Sequence, residues 1–139
     1  MDNTVMADLV VKDAAWVFLK LRPLWPLQLE LVDAKYQVPS LDYFLGAALA
    51  DLIDQKPYVP EFMDCDDFAL WFKAICSITY GITSVGLVRD YSSKHGYNVV
   101  VFQAGNIMLW EPQTDSLIFV TGRNKKFYGL RSEIGRAHV

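Results

Sequence analysis

Apolar positions repeat along this chain with two different periods, and the change of period divides it. From Ser40 onward, Leu41, Phe44, Leu45, Ala48, Leu49 and Leu52 recur three and four positions apart. That spacing predicts a one-sided helix with Ser40 as its N-cap. Pro57 ends it, and residues 58–63 read as loop. A second helix is predicted over residues 64–80, with Asp64 as N-cap and Gly81 closing it. Phe68, Ala69, Leu70, Trp71, Phe72, Ala74, Ile75, Cys76 and Ile78 leave it almost no polar face, so it is expected in the middle of the domain. Beyond it the pattern becomes that of short strands, at residues 84–89, 97–102, 107–111 and 116–120. Gly105-Asn106 and Pro112-Gln113-Thr114-Asp115 supply turns between them.

The first third is less regular. Residues 4–20 predict a helix ending before Pro23. Residues 27–31 alternate strictly, as a half-buried strand does, and Tyr36-Gln37-Val38 reads as its hairpin mate across Asp33-Ala34-Lys35. Helices first and antiparallel strands second predict one α+β domain over residues 1–139, β-rich over about 84–120, with 135–139 as a loose tail.

Composition narrows the class. The 139 residues are 53% hydrophobic and 14% aromatic, too apolar for a disordered chain and long enough for a core without disulfides. Apolar content this high also suits a surface covered by a second copy or another protein. The formal net charge is −3, and the basic residues gather only at Arg123, Lys125, Lys126 and Arg131, so nucleic acid is not an expected partner. No run approaches the roughly 18 apolar residues of a membrane span, and residues 1–4 do not begin a signal peptide. The expected location is cytoplasm, including a host's, or a virus particle. Cys65 and Cys76, eleven positions apart on one helix, would be separated by roughly 16 Å and should stay unpaired. That suits a reducing compartment.

Cys65 falls in the first turn of the second helix. There the helix dipole favours a thiolate, and free backbone N–H groups can stabilise an oxyanion. Asp66 and Asp67 oppose this, because like charge raises a thiol pKa. A base is then needed, and a third group to orient it. Of the two histidines, His138 lies in the tail, whereas His95 precedes a strongly apolar strand. Glu111 ends the next strand, and pairing about the 103–106 turn brings it near His95, within a rung or two. Asn98 and Gln113 are amides able to orient His95 or a substrate carbonyl, and Tyr58 and Trp110 could wall a cleft. Asp64, Asp66 and Asp67 suit N-capping and compensation of the helix dipole.

Three segments together resemble one family: Asp64-Cys65-Asp66-Asp67-Phe68-Ala69, His95-Gly96-Tyr97-Asn98-Val99-Val100 and Trp110-Glu111-Pro112-Gln113-Thr114. They look like the papain-like C-terminal domain of the Marasmius oreades agglutinin and its relatives among phage proteins, over about residues 25–120. The resemblance implies a papain-like fold, with a central buried helix carrying Cys65 against a small antiparallel sheet carrying His95 and Glu111. It implies a cysteine peptidase or amidase acting on a peptide or protein, with calcium as candidate cofactor, for which Asp64, Asp66 and Asp67, with Glu111 and Gln113, would offer the oxygen ligands it prefers. No β-trefoil repeat is present, so sugar binding is not implied. No glutamine lies close before Cys65 to act as oxyanion donor. The second reading is a binding or structural module, of a phage particle or a phage–host contact, that keeps the fold with little turnover.

Overall fold

The computed structural model describes residues 7–22, 28–50, 55–90, 94–118 and 136–138. It begins with a strand where the sequence predicts a helix. Strand β1 (Leu9–Asp13) runs into helix α1 (Ala14–Leu21), and Asp13 is the hinge between them. Its carboxylate accepts the Trp16 N–H at 2.8 Å, a standard N-cap, so helix begins only after it. Residues 4–6 of the expected helix lie outside the described residues.

Strand β3 (Lys35–Pro39) pairs antiparallel with β1, from Leu9 opposite Pro39 to Asp13 opposite Lys35. The expected hairpin with residues 27–31 does not form. Strand β2 (Gln28–Glu30) instead runs parallel to β8 (Arg136–His138) at the edge of a second sheet. Residues 136–138 are therefore a strand and not part of a loose tail. The basic cluster at 123–131 lies outside the described residues.

Helices α2 (Leu41–Ala50) and α3 (Cys65–Tyr80) match the predicted spans closely. The Ser40 hydroxyl accepts the Tyr43 N–H at 3.2 Å and caps α2. Ser40→Ala should cost about 1 kcal/mol, read as a lowered midpoint in urea unfolding with an unchanged slope. In α2 the buried residues are Phe44, Ala47 and Ala48, while Leu41 and Leu49 are exposed, so the packed face is turned from the predicted stripe. Leu52 lies outside the described residues. Gly81, at φ 68°, closes α3 with Ile82 N–H donating to the Cys76 carbonyl. The all-apolar surface of α3 is not wrapped as expected: Leu70, Trp71 and Ile78 face solvent, Ile78 with 84% exposure.

The second half forms an antiparallel meander, β4 (Val85–Asp90), β5 (His95–Val101), β6 (Ile107–Glu111) and β7 (Ser116–Ile118). With β8 and β2 beyond β4, the six-stranded order is β2-β8-β4-β5-β6-β7. Alternation along β5 builds two cores. Tyr97, Val99 and Val101 meet Val17 and Leu21 of α1 and Tyr36 and Val38 of β3. Val100 and Phe102 on the other face meet Phe44 of α2 and Phe68 and Phe72 of α3. This is an α+β domain with helices on both faces of a largely antiparallel sheet. Among the described residues no helix is long and apolar enough to cross a membrane.

Candidate functional site

The start of α3 sits against the start of β5, and the approach is unusually close. A Cβ added at Gly96 would lie 2.8 Å from the Asp66 Cα and 3.0 Å from the Asp66 nitrogen. Glycine at 96 lets the helix end reach the strand. The Gly96 N–H then donates to the Cys65 sulfur at 3.3 Å.

The β5–β6 register places Asn98 opposite Trp110 and Val101 opposite Ile107. His95 and Glu111 become diagonal neighbours at the same end of the ribbon. Their side chains meet, His95 Nε2 to Glu111 Oε2, at 2.6 Å. The imidazole also shares a hydrogen bond with the Cys65 thiol. Cys65, His95 and Glu111 thus form one chain of contacts.

The electrostatics follow from it. The hydrogen bond with His95 is the largest influence on Cys65 and lowers its pKa; burial and Asp66 push upward, while the Gly96 N–H and the imidazolium charge pull down. For His95, burial disfavours the cation, but hydrogen bonds to Cys65 and Glu111 and both negative charges outweigh it, raising its pKa to about 9. Both shifts favour the thiolate–imidazolium form of the pair.

Gln113 serves this assembly indirectly. Its backbone N–H and side-chain amide both approach Glu111 Oε1, at 3.3 and 3.4 Å, and so orient Glu111 instead of His95 or a substrate. Asn98 is fully buried and does not face the cleft. Its Nδ2 donates to the Ala69 and Gly86 carbonyls at 2.9 and 3.1 Å, tying α3 to β4. Trp110 is not a cleft wall either: it is 1% exposed, stacked on Phe72 and edge-on to Phe44. Tyr58 does lie near the site, half-exposed, its phenol pKa raised by desolvation and then by the charges of Cys65, Asp64 and Asp66.

Asp64, Asp66 and Asp67 gather within 4.8 Å of one another. Asp67 Oδ2 accepts the Asp64 N–H at 3.3 Å, which is helix capping. Hydrogen bonding with Asp66, then burial, then Asp67 raise the Asp64 pKa to about 6. A hard cation such as calcium could be held by these oxygens.

An open cleft of about 210 Å³ joins these parts, lined by Asp64, Cys65, Asp66, Arg89, Asp90, Lys94, His95 and Gly96. Sequence reasoning missed Arg89, Asp90, Lys94 and Gly96 as cleft residues. The glycine immediately after His95 was the available signal. The other three depend on the β4–β5 register, which sequence does not fix.

The elements and their pairing define an α+β fold. The chain is similar to a solved PSL1a-E64 complex, with TM-score 0.72 and 21% identity over 93% of this chain and 50% of that one. It is also similar to the Polyporus squamosus lectin bound to the human-type influenza-binding epitope Neu5Acα2-6Galβ1-4GlcNAc, with TM-score 0.68 and 22% identity over 91% of this chain and 49% of that one. The chain spans about half the length of each. No family model and no curated protein matches the sequence.

These likenesses carry the fold, and they correct the functional expectation. The solved neighbours include a lectin, and neither is a phage protein by its printed name, so the expectation of a phage-related cysteine peptidase or amidase is not the reading the likenesses favour. Nothing in either match carries the phage or calcium expectations.

Proposed function

We propose that this domain is a binding module whose cleft at the start of α3 seats a polar ligand, with a glycan as the favoured class. The observation that carries the reading is the composition of the cleft. Asp64 and Asp66 supply acceptors, Arg89 and Lys94 supply donors, and all of them line one open volume of about 210 Å³. Sugars need donors and acceptors together in this way, because each hydroxyl both gives and takes a hydrogen bond. Tyr58 adds an aromatic surface nearby. The likeness to a lectin supports the same class. Cys65 and His95 then lie in the wall of a ligand seat, with Glu111 behind His95.

Binding is favoured over bond cleavage by what surrounds Cys65. Acyl transfer needs donors aimed at a developing oxyanion, each worth about 3 kcal/mol when removed from an enzyme. Both candidate amides are committed elsewhere, Asn98 to backbone carbonyls and Gln113 to Glu111. Asp64 and Asp66 also bring negative charge to the place where an oxyanion would form.

The test is calorimetric titration of the domain with Neu5Acα2-6Galβ1-4GlcNAc and a panel of neutral and acidic glycans, with and without calcium. Saturable binding is expected with a Kd of about 0.1–1 mM, roughly −4 to −5.5 kcal/mol. It should persist in Cys65→Ser, and the glycan should be recovered intact. No saturation with any member of the panel, or loss of binding only when the thiol is removed, would overturn the reading.

A further inference from the structure

Arg89 is the least explained residue of the cleft. Strand β4 is buried at every position except this one. In the β4–β5 register Arg89 stands directly opposite Gly96, whose N–H holds the Cys65 sulfur. Residues directly opposite project from the same face of a sheet, so the guanidinium emerges on the side of the thiolate. Gly96 has no side chain to stand between them. Among the described residues, Arg89 has no hydrogen bond or ion pair to a side chain. Lys94, at the left-handed φ of 53° before β5, adds a second cation to the same wall.

The charges of the cleft are segregated. Asp64 and Asp66 come from α3, whereas Arg89 and Lys94 come from β4 and the turn before β5. Asp90 also lines the basic side, but its carboxylate accepts the Tyr97 hydroxyl at 3.0 Å. His95 is occupied by Glu111 and Cys65. Among the described residues Arg89 and Lys94 are therefore cations with donors left for a ligand, and of the two Arg89 has the planar fork that matches a carboxylate bidentately.

We infer that the cleft selects ligands bearing a free carboxylate, with Arg89 as the specificity-determining clamp and Lys94 as a flanking charge. This rests on the reading of the cleft as the ligand seat. The anionic group lies along the basic wall, away from Asp64 and Asp66, and the remainder of the ligand crosses above Cys65.

The thiol supplies its own probe. Iodoacetate and iodoacetamide react with a thiolate by the same displacement, forming a carbon–sulfur bond and expelling iodide, and differ in carrying a carboxylate or a neutral amide. The rate ratio of iodoacetate to iodoacetamide at Cys65 should exceed one and fall at least about fivefold in Arg89→Gln, a loss of about 1 kcal/mol. Arg89→Lys, which keeps the charge and loses the fork, should give an intermediate ratio. Circular dichroism should show all three proteins equally folded. An unchanged ratio in folded Arg89→Gln would overturn the inference. A second arm measures protection of Cys65 from iodoacetamide by N-acetylneuraminic acid and by N-acetylglucosamine. Stronger protection by the acid is expected. Equal protection would sink the carboxylate clamp and leave the ligand seat standing, while protection by neither sugar would overturn the seat itself.

Discussion

Cys65 should be alkylated by iodoacetamide at pH 7 at least about 100-fold faster than Cys76, and His95→Ala should abolish most of that difference. Both thiols lie on α3, so they report on one helix in two settings. Cys76 is 1% exposed in the core between α3 and the sheet, and serves as the control. Cys65 is partly exposed, and its pKa is lowered chiefly by the hydrogen bond with His95. Removing the imidazole leaves burial and Asp66, which raise it, against the Gly96 N–H, which lowers it. Below the pKa each unit costs about tenfold in thiolate, so the loss of the largest lowering influence slows the reaction near neutrality. Rate against pH, with mass-spectrometric assignment of the modified residue, checks this. The wild-type rate should change near pH 9, where His95 loses its proton. Equal slow labelling of both cysteines would show that the contact chain does not activate the thiol.

The same shift has a consequence for stability, and its sign is fixed. His95 is raised from about 6.5 to about 9, so the folded state holds a proton that the unfolded chain has released. The stabilisation is fully present below about pH 6.5 and is lost as pH rises through about 9. Cys65, with a lowered pKa, contributes in the opposite sense, its share being lost as pH falls through its folded value. Cys65→Ser isolates the His95–Glu111 pair, and its melting temperature should fall between pH 6.5 and 9.

The features legible in the sequence were those written over short distances. The cap and stop of α3, Asp64 and Gly81, bracket the helix at its observed ends, and the turns at 105–106 and 112–115 delimit β6. The proximity of His95 and Glu111 follows from a hairpin midpoint, which one tight turn nearly fixes. By contrast, β1 was hidden because Leu9 to Leu21 is one apolar run containing both a strand and a helix. Asp13 is the only local mark of the junction. The pairing of β2 with β8 joins residues about a hundred positions apart and leaves no local trace. Asn98 shows how identity misleads without register. As an amide near His95 it reads as part of the site, yet its neighbours are carbonyls of α3 and β4. Arg89 shows the reverse, a surface charge by sequence that the register brings opposite Gly96.

Replacing Gly96 by alanine should disable the site more than it destabilises the fold. The added methyl would sit 2.8 Å from the Asp66 Cα, a backbone atom that cannot rotate away. Overpacking of this kind costs about 1–3 kcal/mol. Part is offset, since Gly96 is not among the positive-φ residues and alanine reduces unfolded-state entropy by about 0.4–1 kcal/mol. The net loss is then roughly 0 to 2.6 kcal/mol, which a domain of ordinary stability survives. Cys65 would not be so protected. Relief of the clash requires the first turn of α3 to move off β5, and that turn carries Cys65. The 3.3 Å contact from the Gly96 N–H and the hydrogen bond with His95 would lengthen together. Alkylation of Cys65 at pH 7 should fall at least about tenfold while the far-ultraviolet circular dichroism stays that of wild type. Asp66→Gly would not rescue it, because it removes only the Cβ at 3.0 Å and leaves the Cα at 2.8 Å and the nitrogen at 3.0 Å. If Gly96→Ala retains wild-type reactivity, the helix start has freedom that the close approach denies it, and the thiolate does not depend on this contact.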